Sequence, residues 1–110
     1  MDARNELRLD APDRGAAALE AEVAVIGSVL FDGQCMGRIL PELEEDDFLH
    51  APYRHVFAAM KAMFLSGQPV DRVTLSGRPG IDTPQMLELL RQCEIATPTA
   101  ANAVVYGRRI

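Results

Sequence analysis

The side chains in this sequence that could do chemistry are few. They are His50 and His55, Cys35 and Cys93, the lone serines Ser28, Ser66 and Ser76, a single lysine, Lys61, and an acidic run of Glu42, Glu44, Glu45, Asp46 and Asp47. A structural zinc takes four thiolate or imidazole ligands, usually delivered as closely spaced pairs, and these cysteines and histidines match no such spacing. A nucleophilic serine on a strained elbow needs flanking glycines in a GxSxG pattern, which none of the three has. A phosphate loop needs GxxxxGK[ST], in which backbone N–H groups and a lysine cradle the phosphates. Lys61 instead stands inside a helical pattern. The acidic run lacks the ligand spacing of a cation site and reads as a solvated surface at a helix end. No catalytic, cofactor-binding or metal-ligating residue is expected, and the chain is read as non-catalytic.

Its 110 residues suit one domain with one core. That core must come from Leu, Val, Ile, Met and Ala, because the chain has no Trp and only 5% aromatic residues. This composition favours helices over a β-sandwich. Sixteen acidic against 11 basic side chains leave a formal net charge of -5, which opposes a polyanion. No direct nucleic-acid binding is therefore expected. No apolar stretch is long enough to span a bilayer, and the amino terminus does not look like a signal peptide. The two cysteines read as buried reduced thiols in a cytoplasmic protein, with a disulfide between them as the alternative.

The elements follow from periodicity and punctuation. Residues 1–15 hold charges, Pro12 and Gly15 without apolar periodicity, and read as a flexible arm. Leu19, Val23, Ile26 and Leu30 then recur at helical steps, with Val25 and Val29 widening the face. Met36, Ile39, Leu40 and Leu43 suggest a short second helix. Pro52 opens a third, whose stripe is Tyr53, Val56, Phe57, Met60, Met63 and Phe64, beside a smooth strip of Ala58, Ala59 and Ala62. Gly67 is expected to close it in the left-handed conformation, with Pro69 preventing its resumption. Asp71 is a natural N-cap for "RVTL", yet "SGRPG" halts that helix after little more than a turn. Asp82 or Thr83 caps the next helix, which carries Met86, Leu87, Leu89, Leu90 and Cys93. A turn at Thr97–Pro98 leads to a last helix with Ala101, Val104 and Val105, which reaches Ile110 with no stop signal.

Three blocks in this order resemble the N-terminal domain of DnaB-type replicative DNA helicases: "EAEVAVIGSVLFD" at 20–32, "DDFLHAPYRHVFAAMKAMFLSGQPVDRVTL" at 46–75, and "TPTAAN" at 97–102. Tyr53 stands where that family usually has His, and "LSGRPGIDTPQ" replaces a full helix and a Gly-Gly turn. The resemblance implies an all-α fold: a helical head at 16–82 and a helical hairpin at 83–110, truncated at its carboxyl end. It implies a homo-oligomer, dimeric in its pairing and hexameric in a full-length parent that is an ATP-dependent DNA helicase. It also implies docking of the primase C-terminal domain, with a helicase loader as a further partner. The expected oligomerisation and partner surface is Met86, Leu87, Leu90, Val104 and Val105, Met86 being nearest to the family's primase-contacting position. The competing reading is a stand-alone helical adaptor or loader-like regulator that binds a helicase ring.

Overall fold

The computed structural model describes residues 4–97 and 103–108, with side chains described at 18–97, 104, 105, 107 and 108. Pro98, Ala100, Ala101 and Ile110 lie outside the described residues, and with them most of the "TPTAAN" block. All the regular elements among the described residues are helical, with no strand among them. In order they form α1 (Arg4–Phe31), α2 (Met36–Ile39), α3 (Ala51–Leu65), α4 (Arg72–Leu75), α5 (Pro84–Ala96) and α6 (Ala103–Gly107). Single 3-10 turns occupy Gly33–Cys35 and Glu45–Asp47.

α1 begins inside the span 1–15 that the sequence reads as an arm. Arg, Glu, Leu and Ala favour a helix residue by residue even where no apolar period marks one. Its buried face keeps Val25, Ile26, Val29 and Leu30 as expected but is turned away from Leu19. Leu19 is exposed and Val23 half-buried, whereas Ala21, Glu22, Val25, Ile26 and Val29 face inward. On that face Glu22 is fully buried, where its carboxylate has donors to meet.

Those donors lie at the start of α3. Glu22 Oε2 accepts from Leu49 N at 2.8 Å, and Oε1 accepts from His50 N at 3.2 Å. His50 Nδ1 lies 3.0 Å from the same Oε1. A carboxylate can only accept, so Nδ1 carries the hydrogen. His50 is the N-cap of α3 and makes no side-chain cap bond of its own. A residue on α1 thus satisfies backbone donors at the helix start and places a negative charge at the positive end of its dipole. Inside this junction Phe48 and Phe57 pack with ring centroids 4.8 Å apart. Val56, Met60 and Met63 continue the core toward Met36 and Ile39.

α3 ends in a Schellman arrangement: Gly67 N donates to Phe64 O at 3.0 Å and Gln68 N to Met63 O at 2.9 Å, with Gly67 at φ +78. Asp71 then caps α4. Its Oδ1 accepts from Thr74 N at 2.9 Å, and Thr74 Oγ1 accepts in return from Asp71 N at 3.1 Å. Asp71→Ala removes this reciprocal pair and is expected to cost about 1 kcal/mol, read as a lower urea midpoint at unchanged m value.

α4 stops after one turn because the chain has two anchors to place in quick succession. Leu75 is fully buried, and so is Ile81 six residues on. Arg78 N donates to Leu75 O and Ile81 N to Arg78 O, two consecutive tight turns that swing Ile81 back to the core. Gly80, at φ +84, supplies the left-handed step.

α5 packs along α1 and buries Leu90 and Cys93 in the same core as Val25 and Phe57. Gly27 makes the close approach possible. A Cβ there would overlap the Cys93 carbonyl oxygen and the Thr97 hydroxyl.

Candidate assembly surface

Thr83, not Asp82, caps α5: its Oγ1 accepts from Met86 N at 3.2 Å, and Pro84 follows in the first turn. That start fixes which side of α5 faces inward. Met86 and Leu89 are half-buried against the core, Leu90 and Cys93 are fully inside, and Leu87 remains 37% exposed. Ile95, near the end of the helix, is 63% exposed. On α6, Val104 is half-buried and Val105 47% exposed. Of the five residues read as a partner surface, Leu90 is buried in the core of this chain, Met86 and Val104 are half-buried, and Leu87 and Val105 face outward.

Sequence reasoning missed Leu19 and Ile95. Leu19, Val23 and Ala24 of α1 face Ala96 and Thr97 across an apolar groove of about 410 Å³, with Glu20 at its edge. Thr97 is buried, and its hydroxyl finds no hydrogen-bond partner among the described residues. Ile95 was legible as an apolar residue at the end of the helix. Leu19 was legible too, but as part of the inward stripe.

Ion pairs tie the elements at their outer faces. Arg72 of α4 meets Glu94 of α5 at 3.0 Å, and Arg108, just past α6, meets Glu42 at 3.2 Å. Lys61 meets Glu45 of the acidic run at 3.0 Å. The Glu45 carboxyl is held below its ordinary range by its backbone hydrogen bond first and by Lys61 second. Exposed pairs of this kind contribute little to stability.

The thiols are chemically quiet. Burial pushes Cys93 up to about 12, with the Glu94 charge adding to the effect. Burial likewise raises Cys35 to about 11, against the opposing influence of Arg38. Neither supplies thiolate at neutral pH, so neither is poised as a nucleophile or metal ligand. Both are free cysteines. Among the described residues no cluster of His, Cys, Asp and Glu could hold a metal ion, and no helix is long and apolar enough to cross a membrane. Among the described residues the surface offers apolar contact area.

Residues 15–110 match the family model described as DnaB-like helicase N terminal domain. The replicative DNA helicase DnaB of Geobacillus stearothermophilus is 33% identical over 96 residues, covering 83% of this chain and 21% of that protein. The DnaB of Mycobacterium leprae is 28% identical over 95 residues, covering 81% of this chain and 15% of its own length. The chain therefore spans about a fifth or less of these relatives. Among solved structures, the N-terminal domain of DnaB helicase from Mycobacterium tuberculosis superposes with a TM-score of 0.75 at 27% identity, covering 83% of this chain and 66% of that one.

Proposed function

The chain belongs to the family of DnaB-like helicase N-terminal domains, and we propose that it is a non-catalytic assembly and docking domain of a replicative DNA helicase. It joins subunits into dimers and, in the full-length protein, a hexamer. The paired domains present a composite surface to the helical C-terminal domain of primase. Hydrolysis of ATP and movement on DNA belong to a separate part of the full-length protein, since this sequence has no phosphate loop.

The observation that supports this reading is the apolar surface carried by the last two described helices. Exposed apolar side chains scattered singly are ordinary. Here Leu87 and Ile95 of α5 and Val105 of α6 stay outward, and Leu19 of α1 lines the groove that α1 forms with the end of α5. Apolar side chains left outward on these helices are the kind of surface an isologous contact between subunits would cover.

Light scattering over a concentration series tests it, with a rise from monomer toward dimer expected and a strict monomer at high concentration overturning the assembly role. Leu87→Glu is expected to weaken the dimer by about tenfold or more while leaving the circular dichroism spectrum unchanged, because Leu87 already reaches solvent. A charge at Leu90 is not an equivalent probe. It would bury an unpaired charge and unfold the core.

A further inference from the structure

Most of the cations whose side chains are described are engaged internally. Arg54 donates to the carbonyl oxygens of Phe48 and Leu49, while Lys61, Arg72, Arg91 and Arg108 pair with Glu45, Glu94, Glu88 and Glu42. Among the described residues, Arg38 and Arg78 have no acidic partner within salt-bridge distance.

Arg78 lines a cleft of about 300 Å³ between the outer side of α3 and the turn that follows α4. Ala58 and Ala59 lie on its α3 side, with His55 and Pro79 alongside. The cleft is built by the fold. His55 Nε2 donates to the Pro79 carbonyl at 3.4 Å, and Gly80 lets the turn close on the ring, since a Cβ there would stand 2.6 Å from Nε2. Arg78 is itself partly buried, so its charge is less screened than that of a fully exposed side chain.

We propose that this cleft receives an acidic, extended segment of a partner protein, with a carboxylate on the Arg78 guanidinium and a small apolar side chain against Ala58 and Ala59. A guanidinium matches a carboxylate with two parallel hydrogen bonds, which a point charge cannot do. The chain's net charge of -5 disfavours an acidic ligand over the surface as a whole, so a carboxylate needs a cation with no acid beside it, as Arg78 has none among the described residues. The volume suits one or two side chains of a peptide. These residues are distinct from those of the assembly surface, and the inference stands or falls independently of it.

Fluorescence anisotropy with a fluorescein-labelled heptapeptide alternating glutamate and alanine tests it. Saturable binding to the 110-residue chain is expected, weakened about tenfold by Arg78→Ala and lost in Arg78→Glu, with circular dichroism confirming that both variants fold. Arg38→Glu should retain the affinity of the unaltered chain. Three results would overturn the proposal: no binding, an equal loss in Arg38→Glu, or equal affinity for a peptide with glutamine in place of glutamate. Self-association abolished by Arg78→Glu would also overturn it, by assigning the cleft to a second copy.

Discussion

Glu22→Ala is expected to lower the unfolding free energy by about 3 kcal/mol, a large share of the 5–15 kcal/mol typical of a single domain. The substitution leaves Leu49 N and His50 N without their acceptor and strands the His50 ring. An unmet buried donor costs about 1–3 kcal/mol, and the half-buried position of His50 lets water recover part of that loss. The opposing effect is relief from burying a carboxylate, which is costly where the charge is unmet. Here three hydrogen bonds and a helix start meet it, so the loss dominates. Glu22→Gln should fall between, since its oxygen can still serve one backbone donor. The control is Glu20→Ala, two residues away and exposed, with an expected change below about 0.5 kcal/mol. Urea unfolding that gave equal losses for Glu20→Ala and Glu22→Ala would sink the account of a cap supplied across the fold.

The second large effect is expected at Gly27→Ala, where two rules point in opposite directions. Helix propensity favours Ala over Gly by about 1 kcal/mol in a helix interior. Packing opposes it, because the new methyl overlaps the carbonyl oxygen of Cys93 and the side chain of Thr97. A backbone carbonyl cannot swing aside as a long side chain can, so α5 must move away from α1, and overpacking of this kind costs about 1–3 kcal/mol or more. The net expected result is a loss of about 2 kcal/mol, with a fall in thermal midpoint and weaker hydrogen-exchange protection in α5. A stabilised variant would show that the helices separate at little cost and that Gly27 does not set their spacing.

The absence of a phosphate loop was legible from residue types and spacings alone. So were the positions of Gly67 and Asp71, because caps and turns are decided by local geometry that a few residues fully determine. The inward face of α1 was legible in part: Val25, Ile26, Val29 and Leu30 are buried as expected, while Leu19 is exposed and Val23 only half-buried. Leu19, Val23, Ile26 and Leu30 form a sound helical stripe, but the adjacent stripe through Glu22, Val25, Ile26 and Val29 is equally periodic. Choosing between them requires knowing that a carboxylate goes inside. A glutamate three and four residues before Val25 and Ile26, on the face they share, was the available signal. Leu90 escaped for a related reason: periodicity marks the apolar side of α5 without saying which part of it another helix of the same chain already covers. Ile81 was invisible because it sits outside any periodic segment, and only the two turns after α4 carry it to the core.

Glu22 and Gly27 also constrain how this sequence can drift. Each residue of an α-helix advances about 100° around the axis, so the five steps between them fix an angular register between the carboxylate that holds α3 and the bare spot that admits α5. Substitutions at the positions between can be absorbed one at a time. A single inserted or deleted residue would turn one of the two sites away from its neighbour, so α1 should tolerate changes of letter far better than changes of length.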